Sequence, residues 1–249
     1  RFPTMPTYKG KVFIILQADT KLGLELVRQL ARKGARLVLQ GDHRDRLEGA
    51  VSEAMRYGGE AILVPMDILT QEQYLCLRIQ ALAAYGRIDY LIMNTGCSTE
   101  TSFLDWNGYQ YIQQAFSRYL SLPVYAVQLC LPHLAHNNGS VLIFQRTREH
   151  IPRPCTKSLV AFITELSREF KANGDPVRIL TLDIGEEDIG NRVRIARAAV
   201  YALGSRATFY QVEGPVQRVL RKVGRWMYPK WLMDILYCRC RGGGTKKTQ

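Results

Sequence analysis

Few side chains in this 249-residue sequence have the makings of a catalyst, and their spacing says as much by what it withholds as by what it offers. His133 and His136 share the face of a helical run, a spacing that can present two imidazoles to a metal. The Asn137-Asn138-Gly139 turn and the lack of a nearby carboxylate favour a surface pair instead. Cys238 and Cys240 have no second Cys/His pair near them in sequence, which favours free thiols over a zinc site. No Gly-x-Ser-x-Gly segment supplies a nucleophile elbow. Lys157 introduces the apolar helical pattern Ser158 to Phe170, and four residues before it stands Arg153, a guanidinium that stays charged and cannot donate a proton.

These positions hang on an alternating frame. Lys11 to Leu16 is a short continuous apolar run, the signature of a strand covered on both faces. Leu22, Leu26, Val27, Leu30 and Ala31 then recur at helical spacing up to Lys33-Gly34, and Ala35 to Leu39 is apolar again, which makes a βαβ unit. The alternation continues with helices over 47–57, 71–85, 109–134 and 158–171 and strands over 61–66, 90–93, 141–144 and 177–182. It predicts an α/β fold, a doubly wound Rossmann-type parallel sheet with helices on both faces. Residues 1–190 form this dinucleotide-binding type of domain, and 191–249 are a helical, then aromatic and basic, extension of it.

Composition narrows the setting. A hydrophobic share of 47% suits one large domain with a buried core. The formal charge of +12 favours anionic surroundings, but the basic residues cluster only between Arg218 and Lys247, which points to a basic tail more than to a nucleic-acid groove. Six scattered cysteines favour a reducing compartment. No apolar run reaches the roughly 18–20 residues that cross a bilayer. The chain opens on Arg1, which leaves room for a leader before it. Residues 226–237 are aromatic and apolar, with Arg225 before them and Arg239, Arg241, Lys246 and Lys247 after, a pattern that suits a membrane interface or anionic lipid as well as a protein groove.

Four short motifs, in order, are similar to the short-chain dehydrogenase/reductase family, in particular its hydroxysteroid-dehydrogenase-like branch. They are Gly10-Lys11-Val12, Gly86-Arg87-Ile88-Asp89, Asn94-Thr95-Gly96 and Leu131-Pro132-His133-Leu134, and the resemblance runs from about Lys9 to Gly185. The family's Thr-Gly-x-x-x-Gly-x-Gly phosphate turn corresponds to Leu16 through Gly23. Only Gly23 survives there, and it is the glycine that mainly serves helix-strand packing. Gln17 and Lys21 crowd the turn, and Asp19 sets a carboxylate where phosphate oxygens would sit. Asp67 matches the aspartate near the adenine, and Asn94 and Gly96 match the Asn-Asn-Ala-Gly turn, although such residues also cap helices without any ligand. Asp42 follows the second strand where NADP-preferring relatives carry arginine, so it disfavours a 2′-phosphate, with Arg44 close enough to blur the preference.

The resemblance also implies a tyrosine, a lysine four residues later, a serine and an asparagine for hydride chemistry. Lys157 matches the lysine, Arg153 stands at the tyrosine, Gln145 or Arg146 at the serine, and 115–122 holds no asparagine. No tyrosine occurs between Tyr125 and Tyr201. The sequence therefore predicts a non-enzymatic relative without a resident cofactor, with NAD or NADP as the alternative. Its role would be a structural or docking subunit of a larger, membrane-associated complex, in a mitochondrion rather than the endoplasmic reticulum, with protein subunits as partners and no nucleic acid. The alternative is an NAD(P)-dependent oxidoreductase for a carbonyl or a steroid or lipid alcohol, with its proton donor relocated to Tyr109, Tyr111 or Tyr125.

Overall fold

A computed structural model describes residues 7–66, 70–94, 107–145, 154–184, 191–205 and 208–212, with backbone alone at 209–211. All belong to the first of two compact units, Arg1–Val212; the second, Glu213–Gln249, lies outside the described residues, and with it the aromatic and basic segment.

The chain runs β1 (Val12–Leu16), α1 (Lys21–Ala31), β2 (Arg36–Gly41), α2 (Arg44–Arg56), β3 (Glu60–Pro65), α3 (Gln71–Tyr85), β4 (Tyr90–Met93), α4 (Gly108–Phe116), a π-helical turn (Ser117–Ser121), α5 (Leu122–His136), β5 (Ser140–Gln145), α6 (Pro154–Asn173), β6 (Arg178–Asp183), α7 (Arg192–Leu203) and β7 (Phe209–Gln211). The strands form one parallel sheet in the order β3-β2-β1-β4-β5-β6-β7. The order turns back between β1 and β4, and in such sheets ligands bind outside the carboxyl ends of the strands at that reversal.

Alternation along each strand divides the core into two layers. Phe13, Ile15, Leu37 and Leu39 pack with residues of α1, α2 and α7 on one face, while Ile14, Leu16, Val38 and Met93 pack with α3, α5 and α6 on the other. Every residue of β1 is buried, which is why its sequence is an unbroken apolar run. At the amino edge the Asp89 carboxylate accepts from Val12 N at 3.0 Å, Lys11 Nζ at 2.9 Å and Arg87 Nη2 at 2.6 Å, tying β1 to β4.

α7 packs against α1 and β7 adds a strand beside β6, so the first unit continues past residue 190 to Val212. One feature departs from the sequence expectation. The helix expected over 109–134 is interrupted by the π-helical turn. Pro123 lies in the first turn of α5 and has no N–H to donate to the Tyr119 carbonyl one turn back, so the helical ladder resets there.

Candidate functional site

The carboxyl end of β1 leads into a turn braced from both neighbouring strands. Gln17 takes φ 54°, a left-handed conformation that glycine adopts freely and that costs a side-chain-bearing residue. Its N–H donates to Gln40 Oε1 of β2 at 3.0 Å, and Ala18 N donates to the Gln40 carbonyl at 2.7 Å. From β4, Asn94 Nδ2 donates to the Gln17 carbonyl at 3.1 Å and to Thr20 Oγ1 at 2.7 Å. Thr20 Oγ1 also accepts from Gly23 N at 3.0 Å and so caps α1. A Cβ on Gly23 would stand 2.6 Å from the carbonyl oxygens of Gln17 and Ala18, so the helix approaches the strand end as only glycine allows.

Asp19 does not hold its carboxylate over a phosphate position, contrary to the sequence expectation. Asp19 Oδ2 accepts from Asp42 N and His43 N, both at 3.1 Å, and the side chain lies so close to Gly41 that a Cβ there would fall 2.5 Å from Asp19 Cγ. Two amides at the end of β2 thus take up its charge. Arg44 pairs with Glu48 at 3.0 Å one turn along α2. Among the described residues, the cation that reaches the Asp42 carboxylate is Arg118, from the π-helical turn.

The residues present fit a dinucleotide. Lys21 is exposed at the first residue of α1, where a cation and the helix N-terminus together favour an anion. Asn94 Oδ1 and Gln17 Oε1 are buried with no hydrogen-bond partner among the described residues. Buried polar atoms are almost always paired, so two orphans at one crevice are places for a ligand or water to complete.

Lys157 is exposed in the first turn of α6, while its neighbours Cys155 and Thr156 are buried. Gln145 ends β5 half-buried, opposite Asp183 of β6. Arg146, Arg153, Asp67 and Gly96 lie outside the described residues. Of the tyrosines considered as relocated donors, Tyr109 is 72% exposed on α4 and Tyr111 is half-buried there. Tyr125 lines a groove with Thr70, Ser117, Leu120, Gln128 and Phe162. Burial, then the charges of Arg78 and His136, hold the pKa of His133 below the ordinary imidazole value. Sequence reasoning missed Thr20, Gln40 and Arg118. Thr20 carried a capping signal just before a helical run; the other two are brought in only by strand pairing and by the π-helical turn.

The family model described as short chain dehydrogenase matches residues 11–156. "11-beta-hydroxysteroid dehydrogenase-like 2" of Arabidopsis thaliana is 26% identical over 144 residues, 57% of this chain and 47% of the relative. "Hydroxysteroid 11-beta-dehydrogenase 1-like protein" of Xenopus tropicalis is 27% identical over 185 residues, 69% of this chain and 63% of the relative. The matches thus span about half to two thirds of these relatives' lengths. Among solved structures, a hydroxysteroid dehydrogenase from Escherichia coli superposes with a TM-score of 0.70 at 22% identity over 84% of this chain and 97% of its own. A metagenomic short-chain oxidoreductase in complex with NADP gives 0.71 at 20% identity, covering 83% and 96%. An NADH-dependent reductase complexed with NAD gives 0.70 at 18% identity, with the same coverage. These structures overturn the expectation of a protein without a cofactor, since this fold is one that carries NADP and NAD. With more than half of its length matched by the family model and the family's sheet order present, the chain belongs to the short chain dehydrogenase family.

Proposed function

We propose that this chain binds NAD in the crevice at the carboxyl ends of β1, β2 and β4 and acts as an oxidoreductase on a carbonyl or a steroid or lipid alcohol, with a proton donor other than the family tyrosine. The carrying observation is the turn after β1: Gln17 is held left-handed by Gln40 and Asn94 although the glycine that would adopt this shape freely is missing. Strained backbone persists where its surroundings over-determine it, and it clusters at functional sites.

When bound, the dinucleotide supplies or accepts the hydride. The α1 N-terminus and Lys21 hold its pyrophosphate, Gly23 keeps the helix close, and Asp42 takes a ribose hydroxyl. Lys157 brings an exposed ammonium to the start of α6. Tyr109, the most open of the candidate phenols, is the first choice for holding the exchanged proton.

Calorimetric titration with NADH and NADPH tests the binding, and turnover of steroid and lipid alcohols by wild type and Tyr109→Phe tests the chemistry. Heat with NADH and loss of turnover in the variant are expected; no heat with either nucleotide overturns the proposal. Binding with no turnover by wild type supports a second reading, a nucleotide-holding docking subunit, which the residue types at Gln145, Arg146 and Arg153 favour.

A further inference from the structure

The end of β2 is where the 2′ position of an adenosine ribose is read in folds of this kind, and here its acidic residue, Asp42, pairs with a residue 76 positions away. Asp42 has its backbone N–H committed to Asp19 and one carboxylate oxygen, Oδ2, committed to Arg118. Arg44, the nearest cation in sequence, is engaged by Glu48. Arg118 belongs to the π-helical turn that precedes Pro123 in the first turn of α5. Both partners are part-exposed, at 42% and 28%. Beneath them lies Tyr74 of α3, whose phenol pKa is raised first by burial and then by the Asp42 charge, with Arg118 acting the other way.

We infer that Arg118 is the positioning residue that sets the nucleotide preference of the crevice: it holds Asp42 by Oδ2 and leaves Oδ1 to accept from a ribose 2′-hydroxyl. This rests on the proposed dinucleotide site. A planar guanidinium fixes a carboxylate more firmly than an ammonium does. While Asp42 keeps its charge, a 2′-phosphate meets a carboxylate whose counter-cation is already used. Without that charge, Arg118 is released and becomes the group that a 2′-phosphate would pair with. The same two side chains therefore specify NAD when both are present and NADP when the carboxylate alone is removed.

The test is calorimetric titration of NADH and NADPH into wild type, Arg118→Ala, Arg118→Lys, Asp42→Asn and the Asp42→Asn/Arg118→Ala double variant, with thermal melts to show that each is folded. Wild type is expected to favour NADH. Arg118→Ala should weaken NADH by about tenfold, the scale of one charge-assisted hydrogen bond, and Arg118→Lys should recover part of the loss. Asp42→Asn should tighten NADPH by about tenfold, a gain that falls with added salt and vanishes in the double variant. Unchanged NADH affinity in Arg118→Ala, an NADPH preference in wild type, or a double variant that binds NADPH as well as Asp42→Asn does would overturn the inference while leaving the dinucleotide site intact. Wild type that binds neither nucleotide overturns the site and the inference together.

Discussion

Replacing Gln17 by glycine should stabilise the fold, against the usual direction of substitutions in a buried turn. The left-handed conformation costs a side-chain-bearing residue about 1–2 kcal/mol, and glycine returns about 0.5–1 kcal/mol of that through its freer unfolded chain. Removing the side chain also removes the buried Oε1 atom that has no partner among the described residues, an orphan worth about 1–3 kcal/mol. The hydrogen bonds that brace the turn use Gln17 N and O, which glycine keeps. The expected net gain is about 1–2 kcal/mol after allowing for the contacts of the lost side-chain stem, or about 2–4 °C in Tm for each kcal/mol. Asn138 is an internal control: it too has positive φ, at 50°, but asparagine tolerates this region and the residue is exposed, so Asn138→Gly should change stability by less than about 0.5 kcal/mol. Urea unfolding of the three proteins decides. If Gln17→Gly is destabilised while Asn138→Gly is neutral, the Gln17 side chain supports the turn rather than straining it, and the argument fails.

Two other substitutions probe opposite edges of the sheet. Gly23→Ala places a methyl 2.6 Å from two backbone carbonyl oxygens that no rotamer change can move, so it should cost about 1–3 kcal/mol and weaken nucleotide binding, measured by urea midpoint and calorimetry; wild-type values for both would show that α1 can shift away. Asp89→Asn should cost about 2–3 kcal/mol at neutral pH, the lower part of the range for a buried ion because Lys11 and Arg87 are 40% and 38% exposed and can turn to water. Burial raises the Asp89 pKa, but Arg87, the Val12 N–H and Lys11 outweigh it and hold the folded value below the ordinary one. Its contribution is therefore complete above the unfolded pKa of about 3.9 and is lost as pH falls through the lower folded value. Urea midpoints of wild type and Asp89→Asn should differ equally at pH 7 and pH 5 and converge in stronger acid; a gap that closes already at pH 5 would contradict the assignment.

Much of the frame was legible because it rests on periodicity. The run at residues 11–16 could only be a doubly covered strand, and β1 is buried along its length. Boundaries slipped where a local signal outran the apolar pattern: α6 begins at Pro154, not at Ser158, since proline suits a helix's first turn and the intervening residues carry no apolar rhythm. The positive φ at Gln17 could be anticipated from the missing glycine. Its consequences could not, because Gln40 and Asn94 reach the turn only through strand pairing. The Asp42–Arg118 pair was out of reach for a like reason, since it joins residues 76 apart in sequence that only the tertiary fold brings together.

The motifs that carry the family resemblance most plainly and the residues that decide activity sit on opposite edges of the sheet. Gly10-Lys11-Val12 and Gly86-Arg87-Ile88-Asp89 meet at the amino edge, where Asp89 ties β1 to β4, and Gly139 packs so closely on the Asp89 carbonyl that a Cβ would fall 2.4 Å from it. In this chain that joint ties strands together, so those motifs report on folding. Gln17, Asp19, Asp42, Asn94 and Lys157 belong to the carboxyl edge, where Asn94 braces the left-handed turn at Gln17 and Asp19 holds the amides that follow β2. At that edge the left-handed turn, the capped α1 N-terminus and the buried Asn94 Oδ1, unpaired among the described residues, are what a dinucleotide would engage first. Nucleotide affinity is consequently the quantity on which the two functional readings converge, and turnover is the quantity that divides them.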